Sequence, residues 1–197
     1  MTDERPPGRL VLVTGAQAAG KTTVARAVAA RLPRAVHVDG AAIHAMVVTG
    51  EVPLTLPAPP EAVEQLFLRW LGSIAVAETY QRAGFDAVIS DTVFGDFLED
   101  FLDFVSPAPL HLVVLNPSAE TLRAREAGRG TSGTNEADEA VPVDALHDAV
   151  DRDTRRVGLW LDTSIQDVTE TVEVVLSRLA DALVEPGDLP PAVGHSD

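Results

Sequence analysis

The sequence predicts an α/β domain built on a parallel sheet, and three observations carry that prediction. Short apolar runs alternate with amphipathic helical stretches along the chain, which is the pattern of βαβ units. The first apolar run leads without a break into a glycine-bounded turn and then a helix. At 197 residues, with 46% apolar side chains, the chain is long enough for one domain with a proper core.

The elements follow in order. Leu10–Thr14 is apolar and mostly branched, as a strand buried on both faces should be. Thr22–Leu32 places Val24, Val28 and Leu32 on one helical side, and Pro33 stops it. Ala35–Asp39, Ala87–Asp91, Leu110–Leu115 and Leu159–Asp162 are the further strands. Helices are predicted over Glu61–Ala83, Phe97–Val105 and Val143–Val150, and over a last stretch from Val168 to Leu183. Trp70 belongs to the apolar stripe of the first of these and reads as core. Asp167 followed by Glu170 reads as a capping box. Glu51–Pro60 holds four of the fourteen prolines and reads as a loop. Residues 1–8 and 185–197 read as flexible ends around a domain over 9–184, and residues 128–141 read as a mobile lid.

The chemistry starts at Gly15-Ala16-Gln17-Ala18-Ala19-Gly20-Lys21-Thr22, which fits G-x-x-x-x-G-K-[ST] at every fixed position. Lys21 is the only lysine; the other fourteen basic residues are arginine. Keeping an ammonium here suits a compact charge on a flexible stem. Backbone N–H groups from Ala16 to Thr23 would cradle phosphates at a helix N-terminus, Lys21 would reach the β and γ phosphates, and Thr22 would ligate Mg²⁺.

Asp39 and Asp91 end the second and third strands, the sheet edge where ligands bind in open parallel sheets. Asp39 suits a base that takes the proton of an attacking hydroxyl; a helix N-cap or a ligand to a Mg²⁺-bound water is the other reading. Asp91 suits a metal or metal-water ligand, with a simple cap as its rival. Arg123, Arg125 and Arg129 lie just after the fourth strand, at the mobile stretch, where Arg125 and Arg129 suit a lid that stabilises transferring charge. Arg155 and Arg156 lie close to the fifth strand and could also reach phosphate. Asp151 with Arg155, and Asp148 with Arg152, read as i,i+4 surface pairs. The five histidines, at 37, 44, 111, 147 and 195, show no metal-ligand spacing; His44 borders the expected acceptor pocket.

Several classes fall away. There is no cysteine, so disulfides and thiolate metal sites are excluded. A net charge of −15 with no basic stripe argues against nucleic acid. No signal-like start and no membrane-length apolar run is present, which reads as a cytoplasmic protein. The guanine motif Asn-Lys-x-Asp cannot occur with Lys21 as the one lysine. Thr92 stands after Asp91 where a motor ATPase of the AAA+ type would have Glu.

The residues Gly15–Thr22, Val38-Asp39-Gly40, Val88-Ile89-Ser90-Asp91, the arginine-rich helix and Leu159–Ser164 together resemble the small P-loop kinases. The resemblance is to the chloramphenicol phosphotransferase-like group and to actinobacterial proteins labelled AAA family ATPase, with zeta-toxin-like enzymes further away. It implies a P-loop NTPase three-layer sandwich with a five-stranded parallel sheet in the order 2-3-1-4-5. It also implies ATP and Mg²⁺ as cofactors and phosphorylation of a small-molecule hydroxyl, with an antibiotic or other natural product among the expected acceptors. Asp39 falls on the position of that group's base and Asp91 on its strand-three acid. Ser90 stands where the group often has a second acid, and Ala41-Ala42-Ile43-His44 replaces a basic residue common after the strand-two Asp. A zeta-toxin-like nucleotide-sugar kinase and a nucleotide-gated regulatory ATPase are the alternatives. The acceptor is expected to be neutral or cationic, because Gly40–Gly84 holds only Arg69 and Arg82 as bases.

Overall fold

In a computed structural model, residues 6–55, 57–105, 107–128 and 142–184 are described. Five parallel strands run in the order β2-β3-β1-β4-β5: β1 Leu10–Gly15, β2 Ala35–Asp39, β3 Asp86–Ser90, β4 Leu110–Leu115 and β5 Leu159–Leu161. β1 pairs with β3 from Leu10↔Ala87 to Val13↔Ser90, and with β4 from Leu10↔Leu110 to Gly15↔Leu115. The helices are α1 Lys21–Arg31, α2 Gly40–His44, α3 Pro60–Arg82, α4 Phe97–Val105, α5 Ala119–Gly128, α6 Val143–Asp148 and α7 Val168–Ser177. The fold is the expected P-loop NTPase sandwich.

The central strands are buried because helices cover both faces, so their sequences run apolar instead of alternating. One apolar layer joins α3 to α4. Trp70 is fully buried, its ring centroid 5.7 Å from that of Phe101 and 6.0 Å from that of Phe97, both near edge-on. The capping box forms at α7: Asp167 accepts from the Glu170 N–H and Glu170 reaches back to the Asp167 N–H.

Three expectations change. The last helix ends at Ser177, not Leu183; Leu179–Ala182 is a 3-10 turn, and Leu183–Val184 forms β6, antiparallel to β4. The helix from Val143 stops at Asp148 and continues as a π-helix over Ala149–Asp153. Asp151 therefore pairs with Arg156 at 2.5 Å and not with Arg155, because the wider turn and the extended Thr154 bring the fifth following residue round to it. Arg155 meets Glu99 instead, at 3.7 Å, while Asp148 and Arg152 pair as expected.

At the amino-terminal side, Gly8 is fastened to α3: its N–H donates to the Gln81 carbonyl and its own carbonyl accepts from Gln81 Nε2. The lid expected over 128–141 lies almost wholly outside the described residues, as do residues 1–5 and 185–197.

Candidate active site

β1 is buried at every position and ends where the chain must swing close to β4. A side chain at Gly15 would overlap the Leu115 carbonyl oxygen, and φ there is +146°. The loop returns through Ala18 at φ 63° and Gly20 at φ 95°. Ala18 is the one non-glycine among the described residues with positive φ, and Ala19 N–H closes the turn on the Ala16 carbonyl at 3.1 Å. α1 then begins with Gly20 as a cap that has no side chain, and its first turn holds no acid. The first N–H groups of a helix have no intrahelical partner and carry the positive end of its dipole. An uncapped, acid-free helix start behind a glycine turn therefore fits a phosphate chain. Lys21 Nζ donates to the Ala16 carbonyl at 3.0 Å, folded back over the loop. Thr22 is exposed at the helix start, so its hydroxyl fits an oxygen ligand for Mg²⁺.

Parallel pairing brings the other strand ends to the same edge. Asp39 lies in register with Ser90, and Ser90 with Val13. β3 lies between, so Asp39 is about two strand spacings, roughly 10 Å, from β1. Asp39 caps α2, its carboxylate accepting from the Ala41 N–H at 3.2 Å. The cap does not exclude the other readings of Asp39: one oxygen caps, and a carboxylate has lone pairs to spare.

Asp91 is buried, with one oxygen 2.6 Å from Arg69 Nη2 and accepting from the Thr92 N–H at 2.6 Å. It presses on Gly40, where a side-chain carbon would overlap Oδ2. The expected metal ligand is therefore also one half of a buried ion pair that braces the Asp39–Gly40 turn. His37, two residues before Asp39, shares a hydrogen bond with Ser90 Oγ at 2.9 Å. Burial pushes its pKa down, Arg26 adds to the effect and Asp39 opposes it.

On the other side of the loop, α5 grips it. Arg125 donates to the Ala19 carbonyl at 3.3 Å and to the Thr163 carbonyl at 2.7 Å, tying the loop to the turn after β5. Gln17 Nε2 donates to Glu126 Oε1 at 3.2 Å. Arg123 faces away, paired with Asp144 at 2.9 Å on the surface. Arg129 lies outside the described residues. Arg156 stacks on Trp160, 4.0 Å from its ring centroid, and pairs with Asp151. Asn116 also donates to Asp151, and these two donors hold its carboxyl below the usual range. His44 pairs with Glu51 at 3.0 Å beside α2. Among the described residues no group of three or more His, Asp or Glu could hold a metal ion.

Sequence reading missed three members of this site. In the sequence Arg69 shows only as a charge, Glu126 stands among arginines, and Thr14 is the last residue of an apolar run. Thr14 Oγ1 donates to the Val93 carbonyl and accepts from the Val93 N–H, both at 2.8 Å, fixing the turn after β3 to β1.

A P-loop after the first strand of a 2-3-1-4-5 sheet, with acids closing strands two and three on one side of it, defines the fold of the small P-loop kinases. The chain belongs to the AAA domain family AAA_33, whose profile matches residues 10–155. No curated protein matches it. Among solved structures it is similar to an unliganded sugar kinase from Janibacter sp. HTCC2649, with a TM-score of 0.64 and 21% identity over 94% of this chain and 100% of that one. A tunicamycin resistance protein from Deinococcus radiodurans gives a TM-score of 0.63 at 14% identity, covering 91% of this chain and 99% of the other. The APS kinase of Mycobacterium tuberculosis, in complex with AMPPNP and APS, gives 0.63 at 16% identity, covering 89% and 99%. Among the described residues no helix is long and apolar enough to cross a membrane.

Proposed function

We propose that the chain is an ATP-dependent kinase that phosphorylates a hydroxyl of a small molecule, with Asp39 as the base. The observation that carries this reading is the Asp39 carboxylate on the same sheet edge as the P-loop. A protein that only binds nucleotide needs no carboxylate there. Asp39 takes the acceptor's hydroxyl proton as its oxygen bonds to the γ-phosphorus; the bond to the β–γ bridging oxygen breaks and ADP leaves. Lys21 and the loop N–H groups hold the charge on the departing phosphates. Arg125 and Arg129 supply further positive charge from α5 and the segment beyond it. Thr22 and Asp91 are the residues that would hold Mg²⁺, which when bound neutralises charge on the β and γ phosphates.

The acceptor is neutral or cationic. Both arginines of the Gly40–Gly84 segment are already paired with acids, Arg69 with Asp91 at 2.6 Å and Arg82 with Glu78 at 3.3 Å, so neither is an uncommitted clamp for an anion. Met46 and Val48 after α2 are 70% and 90% exposed, which suits a partly apolar alcohol such as an antibiotic or other natural product. Similarity of fold to a tunicamycin resistance protein is in keeping with this.

The test is acceptor-stimulated ADP release across a panel of natural-product alcohols, sugars and nucleosides, repeated with Asp39→Asn. The variant should keep its ADP affinity and lose about 10²–10⁴-fold in transfer. Transfer that persists in Asp39→Asn places the base elsewhere. Phosphorylation confined to sugar acids or nucleoside monophosphates refutes the neutral acceptor.

A further inference from the structure

α3 is apolar on both of its faces. The inner face buries Ala62, Leu66, Trp70, Ile74 and Ala77, as a helix laid on a sheet must. On the outer face, the exposed positions from Leu68 to Tyr80 are Leu68, Leu71, Ala75, Val76, Thr79 and Tyr80, and none of them is charged. Leu68 is 59% exposed, and Leu71 and Tyr80 are 43% exposed. A helix that is apolar all round is ordinarily covered, and a contiguous exposed apolar patch marks an interaction site. The whole chain carries a net charge of −15, so two copies repel each other in general. This strip carries none of that charge.

The ends of the strip decide the occupant. Counted from Glu64, the exposed positions Leu68, Leu71, Ala75, Thr79 and Arg82 follow at spacings of three or four, which sets them along one side of the helix. An acid stands at the amino end and a base at the carboxyl end. Ser73 is the midpoint: Glu64 and Arg82 lie equally far from it along the helix, and so do Leu71 and Ala75. Turned end for end about that midpoint, the face meets itself with opposite charges opposed and the larger Leu71 against the smaller Ala75. A parallel pairing would set Glu64 against Glu64 and Arg82 against Arg82. Arg82 already meets Glu78 at 3.3 Å, but its side chain is 68% exposed and its guanidinium has donors to spare. We propose that the outer face of α3 is the interface for a second copy of this chain. The two copies dock antiparallel about a two-fold axis at Ser73, with Glu64 of each paired to Arg82 of the other.

Sedimentation velocity on the full chain, from about 1 to about 300 μM, tests this at about 150 mM salt, where net repulsion is screened. The strip is about 28 Å long and one helix wide, at the low end of specific interfaces. Wild type should therefore pass from monomer to dimer with a Kd on the order of 10–100 μM. Leu71→Glu sets like charges beside the axis and should raise Kd by at least about 10-fold. Its Tm should stay unchanged, because the position is exposed. Glu64→Arg and Arg82→Glu should each weaken the dimer by about 3- to 10-fold, and the double variant should return to within about 3-fold of wild type. Wild type that stays monomeric at every concentration overturns the proposal. So does a dimer that Leu71→Glu leaves intact, which places the interface elsewhere. A double variant no tighter than the two single ones overturns the antiparallel alignment, and the proposal with it.

Discussion

Gly40→Ala is the substitution that tests the brace beneath Asp39. Gly40 opens α2 with ordinary helical backbone, so by propensity alanine should be better there, by up to about 1 kcal/mol. Space decides against it. The new methyl would overlap Asp91 Oδ2 and lie 2.5 Å from its Cγ. Asp91 has little room to yield, because its other oxygen is held by Arg69 and by the Thr92 N–H, each at 2.6 Å. Overpacking of this kind costs about 1–3 kcal/mol, so with up to about 1 kcal/mol of propensity gain set against it the net loss should be up to about 3 kcal/mol. For a domain of this size that is a fall in Tm of up to about 12 °C. Thermal unfolding by circular dichroism measures it. Gly128→Ala is the control: it is helical with nothing within 4 Å, and should leave Tm unchanged or slightly raised. Asp91→Ala removes the obstacle at its own cost of about 3–5 kcal/mol, since the Arg69 charge is then left uncompensated. In that background Gly40→Ala should cost nothing further. A Tm for Gly40→Ala at or above wild type, or equal costs in the two backgrounds, refutes the close-approach argument.

The remaining predictions concern the loop and the histidines. Lys21→Ala should abolish productive ATP binding, and Lys21→Arg should bind poorly, since a guanidinium fork does not replace a point charge over the β and γ phosphates; calorimetry with a non-hydrolysable ATP analogue checks both, and wild-type affinity in Lys21→Ala sinks the P-loop assignment. Ala18→Gly should raise Tm by up to about 6 °C, because the left-handed backbone at φ 63° costs an alanine about 1–2 kcal/mol, of which glycine's greater freedom in the unfolded chain takes back about 0.4–1 kcal/mol; a fall would show that the buried methyl matters more. His37 and His111 both have pKa values lowered, with burial as the largest cause. A group whose folded pKa lies below its unfolded one adds stability above the unfolded value, near pH 6.5, that is lost as pH falls toward the folded value. Tm should therefore drop between pH 7 and pH 5, and His37→Gln should flatten part of that slope; an unchanged slope in the variant assigns the loss to other groups.

How much of this could be read from the chain depended on range. The phosphate loop was legible because all its residues are consecutive and its chemistry is local: two glycines, one lysine, one threonine. The strand order came from resemblance, since nothing in the spacing of five apolar runs says which of them are neighbours. Asp39 and Asp91 could be placed at the sheet edge because parallel strands all end there. Their partners could not. The Arg69–Asp91 pair spans 22 residues and depends on how α3 is rotated over β3, and Thr14 meets Val93 across 79. The pair Asp151–Arg156 is hidden from the sequence because i,i+4 spacing points to Arg155, whereas the helix widens over Ala149–Asp153. β6 is two residues long, too short to show any period of its own.

That short strand has a practical consequence. Because Val184 faces Leu110 and Leu183 faces His111, the backbone at Val184 is headed toward the amino end of β4, away from the edge that carries Gly15 and Asp39. Over the six residues of β4 the two edges stand roughly 17 Å apart. A surface tether or fluorescent reporter attached beyond Val184 therefore starts from the far end of the sheet, and the chain can be immobilised there with its nucleotide edge presented outward.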